Sequence, residues 1–156
     1  MNWQCLHFDQ LSLAQLYAVL AARQQVFVLE QQCLYPDLDG LDQDAHHVLG
    51  WSDAAPAAVG QASARQLCAY LRCLAPGVKF AEASLGRVLT TPVVRGTGAG
   101  RELLRRGIAQ AEVLYPGQRL RIGAQLYLEN FYASFGFVTV SAPYDDDGIA
   151  HVDMLR

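Results

Sequence analysis

The sequence predicts an α/β (α+β) fold, built on one mixed sheet of about seven strands flanked by helices. Three observations lead to this prediction. Apolar residues recur at strand and helix periods in the order β-α-β-β-β-α-β-α-β-β. No internal repeat or low-complexity tract interrupts that order. The length of 156 residues suits one domain with a substantial core, so we expect a single domain over residues 1–156.

The first elements are a strand and a capped helix. Trp3 to Phe8 is predicted to be a strand, and Ser12 is predicted to cap a helix that ends near Glu30. The stretch from Gln31 to Asp44 contains a proline and an Asp-Gly pair, which break periodic structure. We expect an ordered loop or a broken short helix there.

The middle of the chain predicts three strands: His47 to Trp51, Cys68 to Leu74, and Ala83 to Thr90. Ser52 to Ala64 is rich in Ala, Ser, Pro and Gly and predicts a connection, in which Ala57 to Val59 could begin the next strand. A Pro-Gly pair separates the last two strands.

The last third of the chain predicts two helices and three strands. A helix that follows a glycine-rich turn stops at Pro116-Gly117, and a buried strand follows from Arg119 to Ala124. Apolar residues at helical spacing then predict a short helix closed by Gly136. The last two strands are Phe137 to Ser141 and Ile149 to Met154, with a tight turn at the Asp145-Asp146-Asp147-Gly148 run.

Composition and cysteine spacing exclude several function classes. The chain lacks the basic start and apolar block of a signal peptide, and no apolar run is long enough to span a bilayer. We therefore expect a cytoplasmic protein with no membrane partner. The four cysteines form no CxxC pair and have no metal-ligand spacing. We expect reduced thiols and no bound metal.

Charge is unevenly distributed along the chain. Between residues 84 and 121, seven arginines oppose two glutamates, a balance of +5 that leaves −8 for the rest of a chain with net charge −3. This basic region suits an anion, but its arginines are not interleaved with the stacking aromatics of a DNA or RNA site, so no nucleic-acid partner is expected. Between Arg23 and Arg65 the chain has carboxylates and no Lys or Arg. That stretch suits a cation or is a solvated face.

The most informative segment is the turn Arg95-Gly96-Thr97-Gly98-Ala99-Gly100 between a strand and a helix. Alternating glycines expose backbone N–H groups next to the positive end of a helix, which favours a phosphate, although such turns also occur for structural reasons alone. A P-loop is excluded because Arg101 and Glu102 replace its Lys-Ser/Thr ending. A Rossmann site is excluded because its candidate acidic residue, Glu112, falls inside the helix.

This turn resembles the Arg/Gln-x-x-Gly-x-Gly/Ala motif of the GCN5-related N-acetyltransferase (GNAT) family, including the preceding strand Gly86-Arg87-Val88-Leu89-Thr90. Tyr132-Ala133-Ser134-Phe135-Gly136-Phe137 is similar to the family's Tyr-x-x-x-Gly-Phe signature. Three further segments are similar to the ElaA-like branch: residues 26–31, 35–40 and 147–151. The resemblance implies a mostly antiparallel sheet and an acetyl-CoA-dependent acyltransferase.

The resemblance also implies which residues bind acetyl-CoA. The amides of the turn would hold the pyrophosphate, with charge added by two arginines, and the main chain of a splayed strand would meet the pantetheine and the thioester oxygen. Gln125 stands where many members carry an asparagine that bonds the pantetheine. The expected cofactor-binding residues are Val88, Leu89, Thr90, Arg95, Gly96, Thr97, Gly98, Ala99, Gly100, Arg101 and Gln125.

Tyr132 is the catalytic residue that the resemblance implies, as the donor to the departing CoA thiolate. Its spacing alone would place it in an apolar stripe with Leu128 and Phe131. The implied reaction is direct attack by a primary amine on acetyl-CoA in a ternary complex.

The acceptor side is less defined by the sequence. A small or peptidyl amine, cationic before it reacts, is the expected acceptor, and Glu30, Asp39 and His47 are the expected contacts. The candidates for a base that deprotonates it are Glu30, Asp39, His46, His47 and Glu82. Two other functions stay open: a non-catalytic acyl-CoA-binding regulatory domain, and an unrelated phosphate- or nucleotide-binding module. A homodimer is compatible with the sequence.

Overall fold

The computed structural model describes residues 1–53 and 65–156. Within them, eight strands form one sheet in the order β1-β2-β3-β4-β5-β8-β6, and β7 pairs with β8. The strands are β1 (Asn2–His7), β2 (Ala45–Trp51), β3 (Leu67–Leu74), β4 (Ala83–Thr90), β5 (Leu120–Gln125), β6 (Val138–Thr139), β7 (Tyr144–Asp146) and β8 (Ile149–Leu155). The helices are α1 (Leu13–Arg23), α2 (Ala99–Leu114) and α3 (Glu129–Ala133), with short 3₁₀ turns at Phe8–Gln10, Pro92–Val94 and Leu126–Leu128. Most of the expected connection, including Ala57 to Val59, lies outside the described residues.

The predicted fold class is confirmed, and the sheet is antiparallel except where β4 pairs with β5. The prediction of a tight turn over Asp145 to Gly148 was wrong in extent, because Asp145 and Asp146 pair with β8 and belong to an extra strand. Only Asp147 and Gly148 form the turn, both with positive φ (54° and 84°). Two such residues are typical of a hairpin turn that matches strand twist.

The predicted strand from Phe137 to Ser141 is shorter than expected, since only Val138–Thr139 forms regular ladder pairs. The Ser141 hydroxyl accepts a hydrogen bond from the Asp153 amide, and the Val140 amide donates to the Asp153 carbonyl. Beyond Thr139, therefore, a side chain replaces part of the backbone ladder.

The first helix begins at the predicted cap. The Ser12 hydroxyl accepts from the Gln15 amide (3.2 Å), and the Gln15 side chain accepts from the Ser12 amide (2.9 Å), which is a capping box. After Arg23 the chain continues as a π-helix over Gln24–Glu30, so the predicted end near Glu30 is confirmed while the hydrogen-bond pattern changes. π-helical turns are rare and often occur at functional sites.

The sheet separates two apolar layers. On one face, α2 and α3 pack over β3, β4, β5 and β8 through residues such as Leu71, Leu104 and Ile122. On the other, α1 and the π-helix cover Leu49 and Tyr70. No helix of the described ranges is long and apolar enough to cross a membrane.

The strands β4 and β5 diverge after a short parallel contact. Only two pairs join them, Ala83 with Leu120 and Ser84 with Arg121. Beyond the last of these pairs β4 contains a bulge, where Arg87 has a φ of 50° and one extra residue is fitted against β3. The splay that the resemblance implied is confirmed, and it opens the centre of the sheet.

Gly107 permits close packing of α2 on β3. A Cβ atom at this position would lie 2.5 Å from Leu71 Cδ2, and Leu71 is fully buried. We expect Gly107→Ala to cost about 1–3 kcal/mol from overpacking, which outweighs the gain of about 1 kcal/mol from helix propensity. Urea unfolding measures the difference, and a variant more stable than the wild type would show that helix propensity dominates at this contact.

Candidate active site

The diverging strands enclose a cavity of about 650 Å³. One wall comes from β4, from Ser84 to Thr90, and another from β5 and the turn that follows it. The π-helix contributes Phe27 and Glu30, and the β7–β8 hairpin closes a further side. The cavity is therefore formed by elements that are far apart in sequence and meet at the break in the sheet.

The glycine-rich turn presents an uncapped helix end. Gly96 and Gly98 have φ values of 77° and 87°, and α2 begins directly afterwards at Ala99. No side chain of the described residues caps the first turn of α2, whose amides have no partner within the helix. A Cβ atom at Gly96 or Gly98 would meet nothing within 4 Å. The Cβ side of both glycines is therefore free of neighbouring atoms, and the unpartnered amides of α2 suit an anion.

The two predicted arginines flank this turn in different ways. Arg95 forms an ion pair with Glu30 (2.6 Å) and donates to the Thr90 carbonyl (3.1 Å), which ties the turn to the π-helix. Arg101 lies over the Phe135 ring, 5.0 Å from its centroid, and donates to the Ser134 hydroxyl (3.2 Å). Arg101 is exposed, so its charge is accessible beside the amides of α2.

The other predicted cofactor-binding residues lie along the cavity. Val88, Leu89 and Thr90 form its β4 wall, beyond the point where pairing with β5 ends. Gln125 ends β5, and its side-chain amide donates to Gln31 across the cavity (3.3 Å). These positions bring one strand edge and one amide side chain to the same opening.

Tyr132 lines the cavity from α3. Its ring packs edge-on against Phe131 and Phe137, and only 6% of the residue is exposed. Its hydroxyl has no hydrogen-bond partner among the described residues. Burial raises the pKa of the phenol to about 12, with a smaller contribution from Tyr127. The group is thus a protonated donor at any physiological pH.

The acidic loop after the π-helix is neutralised by the chain's own cations. Three arginines and three aspartates alternate in a closed arginine–aspartate ring: Arg23–Asp37 (2.8 Å), Asp37–Arg87 (2.7 Å), Arg87–Asp39 (3.4 Å), Asp39–Arg72 (2.6 Å), Arg72–Asp42 (2.9 Å) and Asp42–Arg23 (2.6 Å). Burial opposes ionisation of Asp39 and Asp42, but the hydrogen bonds and charges of their arginines outweigh it and lower both pKa values. The ring holds the loop against β3 and β4.

The three residues predicted to contact the acceptor lie in different surroundings. Glu30 lines the cavity but is paired with Arg95, and Asp39 belongs to the ring. His47 is fully buried, with one ring nitrogen 2.8 Å from the Tyr70 hydroxyl and the other 3.0 Å from the Asp42 carbonyl. Burial lowers the pKa of His47, so it remains neutral. Of the three residues, the structure brings only Glu30 to the cavity wall.

Comparison with known proteins agrees with this architecture. The profile of the acetyltransferase (GNAT) domain matches residues 14–156. The chain belongs to the GNAT family. Protein ElaA of Escherichia coli is 38% identical over 158 residues, covering 100% of this chain and 96% of ElaA. A UPF0039 protein of Synechocystis is 42% identical over 155 residues, covering 99% of this chain and 94% of that protein.

Solved structures of the GNAT family superpose on almost the whole chain. An acyl-CoA N-acyltransferase from Pseudomonas aeruginosa has a TM-score of 0.88 at 39% identity, covering 99% of this chain and 98% of that one. E. coli ElaA has a TM-score of 0.87 at 38% identity, with the same coverage. The likeness to the ElaA-like branch is confirmed, and the chain is an acyltransferase of the GNAT family.

Sequence reasoning missed two side chains on the β7–β8 hairpin. Tyr144 and His151 line the cavity, and their rings stack with centroids 6.0 Å apart. The Asp-Gly signal indicates a hairpin, and strand alternation after Gly148 puts Ile149 and His151 on one face. The sequence alone does not tell whether that face of β8 meets the cavity.

Asp42 is the aspartate of the ring that contacts both Arg23 and Arg72. We expect Asp42→Asn to reduce the free energy of unfolding by about 3–5 kcal/mol, since it leaves buried guanidinium groups without full charge compensation. The matched control is Asp44→Asn on the same loop, at an exposed position, with an expected change within about 0.5 kcal/mol. Chemical denaturation measures both, and equal values for the two variants would contradict a stabilising role for the ring.

Proposed function

We propose that this GNAT protein transfers an acetyl group from acetyl-CoA to a primary amine by direct attack in a ternary complex. The observation that carries the proposal is the opening between β4 and β5, which is lined by the Tyr132 phenol and by Thr90, the β4 residue next to Gly100 at the uncapped start of α2. The P. aeruginosa relative is an acyl-CoA N-acyltransferase. An aminoglycoside 6′-N-acetyltransferase solved with coenzyme A shares the fold at 11% identity, with a TM-score of 0.62.

The donor fits this opening from its phosphates to its thioester. The amides from Gly96 to Gly100 offer hydrogen bonds to the pyrophosphate, and Arg101 adds an accessible positive charge. The edge of β4 that β5 leaves unpaired supplies main-chain groups to the pantetheine arm. Gln125 can exchange its contact with Gln31 for a pantetheine amide.

The chemistry requires stabilisation of the thioester oxygen and of the departing sulfur. A backbone amide of the splayed strand, at Val88 to Thr90, can donate to the oxygen as charge develops on it. Tyr132 can donate its proton to the sulfur, since burial keeps the phenol protonated. Neither role requires a charged catalytic side chain.

The acceptor enters from the side of the hairpin. Asp146 and Asp147 line the cavity there and are exposed, whereas the charges of the arginine–aspartate ring are paired with one another. Exposed carboxylates at the mouth attract a cationic amine. A small or peptidyl amine is the acceptor class that we propose.

A thiol-release assay tests the reaction. Acetyl-CoA is incubated with the protein and a panel of diamines, alkylamines and peptides with free amino termini, and CoA is detected with a disulfide reagent. We expect CoA release that depends on an amine. We also expect that acetyl-CoA displaces CoA bound to the protein, whereas ATP and NAD do not. Tight acetyl-CoA binding with no turnover on any amine would instead support a non-catalytic regulatory domain.

Tyr132→Phe tests the proton donor. We expect kcat to fall about tenfold or more, because the departing thiolate loses its proton source, while the acetyl-CoA Kd changes less than about twofold. Tyr17→Phe, on an exposed surface of α1, is the control and should keep the wild-type kcat. Unchanged turnover in Tyr132→Phe would remove this tyrosine from the mechanism.

Gly98→Ala tests the phosphate cradle against a control with the same backbone conformation. Gly98 and Gly117 both have positive φ, and a Cβ atom at either meets nothing within 4 Å. Each alanine should therefore cost about 1–2 kcal/mol of stability from left-handed strain. Only Gly98→Ala should weaken acetyl-CoA binding, by about tenfold or more, because a methyl group then faces the pyrophosphate. Calorimetric titration of both variants decides, and equal affinities would place the phosphates elsewhere.

A further inference from the structure

The proposed reaction leaves one chemical task unassigned. An amine reaches the enzyme mostly as an ammonium ion, which has no lone pair, so a group in the cavity must accept a proton before the attack. The candidates named from the sequence are already engaged or lie elsewhere. Glu30 is paired with Arg95, Asp39 lies in the arginine–aspartate ring, and Glu82 is held by two hydrogen bonds from Arg121.

The two neighbouring histidines of β2 do not line the cavity within the described residues. His47 has both ring nitrogens engaged in the core. His46 packs edge-on against His7, and burial together with that neighbour lowers its pKa. Neither imidazole is placed to meet an acceptor.

His151 lines the cavity with its ring held in a defined state. Its Nδ1 atom lies 2.8 Å from the Ile149 carbonyl oxygen, so Nδ1 is the donor and carries the proton of the neutral ring. The lone pair of the neutral ring is consequently on Nε2, which has no partner among the described residues. This is the tautomer that a proton acceptor needs.

Neighbouring strands hold the ring of His151 in place. Tyr144 stacks on it, and the Tyr144 hydroxyl donates to Asp153 (2.9 Å), which in turn accepts from Arg121 (2.9 Å). Gly123 allows this arrangement, because a Cβ atom there would lie 3.2 Å from the Tyr144 hydroxyl. The stack is therefore supported by a chain of hydrogen bonds that runs from Tyr144 through Asp153 to Arg121.

The register places His151 near the reacting centre. It is the β8 residue paired with Gln125 at the end of β5, the point from which the chain turns toward α3 and Tyr132. All three residues line the same cavity. We propose that His151 is the catalytic base that deprotonates the acceptor amine, an inference that rests on the proposed acetyl transfer.

The step balances with groups already named. One proton moves from the ammonium to Nε2 of His151, directly or through water, and the freed lone pair attacks the thioester carbonyl carbon. The C–N bond forms and the C–S bond breaks, so that the electron pair leaves on sulfur. The sulfur takes a proton from Tyr132, which recovers one from the amide nitrogen, and the imidazolium releases its proton to solvent. The products are the acetylated amine and CoA thiol.

Other titratable groups share this cavity and must be considered in any pH profile. The groups that titrate are Glu30, Cys33, Tyr35, Lys79, Tyr127, Tyr132, Tyr144, Asp146 and Asp147, and the arginines are Arg72, Arg87 and Arg95. Burial, together with the charges of Arg87 and Arg72, lowers the pKa of Lys79. Burial raises the pKa of the Cys33 thiol, and burial followed by the Asp153 hydrogen bond raises that of Tyr144 to about 12. Carboxylates are weaker bases than imidazole, which suits the aspartates to attraction of the ammonium.

The test compares His151→Gln with the wild type from pH 6 to 10, using the amine that gives the highest turnover. A missing base matters less once the amine is already neutral in solution. We therefore expect a loss in kcat/KM of about 100-fold at pH 7 that shrinks as the pH approaches about 10, where alkylamines deprotonate. The acetyl-CoA Kd, measured by calorimetry, should stay within twofold, and His7→Gln, outside the cavity, should match the wild type.

Three results would overturn the inference: a loss that is constant with pH, which indicates a structural role; a weakening of acetyl-CoA binding by the same factor as kcat/KM; or wild-type kcat/KM in the variant. His151→Asn is measured in parallel, so that a folding defect of one substitution does not decide the outcome. Absence of transfer in the wild type itself would overturn the proposed function, and this inference with it.

Discussion

The site depends on the closed ring of charges that joins Arg23, Arg72 and Arg87 to three aspartates of one loop. Each arginine comes from a different element, α1, β3 and the bulge of β4, so the ring connects the layer outside the sheet to the strand that splays. Buried ion pairs contribute little net stability when compared with apolar packing, but a missing partner is costly. The ring therefore acts mainly by specifying one position for the loop that borders the cavity.

The proposed site has two halves of different construction. The donor side that we propose is made from backbone, through the uncapped start of α2 and the exposed edge of β4, and needs few particular side chains. The acceptor side that we propose is made from side chains on the π-helix, the acidic loop and the β7–β8 hairpin, all of which line the cavity. Changes at the acceptor side can thus alter the amine that is used without disturbing the donor, which is consistent with one fold serving many acceptors.

Much of the fold could be predicted from local signals. The Ser12 cap, the strand from Ala83 to Thr90 and the glycine turn each depend on residues close in sequence, and each lies where it was expected. Pairing between strands that are distant in sequence was harder to predict from local signals. The strand at Tyr144 exists because β8 supplies its hydrogen bonds, and the arginines of the ring lie up to 50 residues from the loop that they neutralise. Such partners cannot be inferred from periodicity.

The candidate site shows the same division. The glycine turn and Tyr132 follow from contiguous motifs, whereas the place of His151 depends on which face of β8 meets the cavity. Conversely, the sequence shows His47 only as a polar residue at the start of a predicted strand. Tertiary packing buries it, with both ring nitrogens in hydrogen bonds. A catalytic or binding role for a residue outside a motif can thus be assigned only when the strand register and packing are known from the structure.

We propose that the glycine turn and the splayed edge of β4 together bind acetyl-CoA. Backbone amide chemical shifts, recorded by ¹⁵N NMR during titration with acetyl-CoA, report on this directly. We expect the largest changes at Gly96 to Gly100 and at Val88 to Thr90, with no comparable response to ATP or NAD. Changes concentrated away from both segments, or an equal response to ATP, would contradict it.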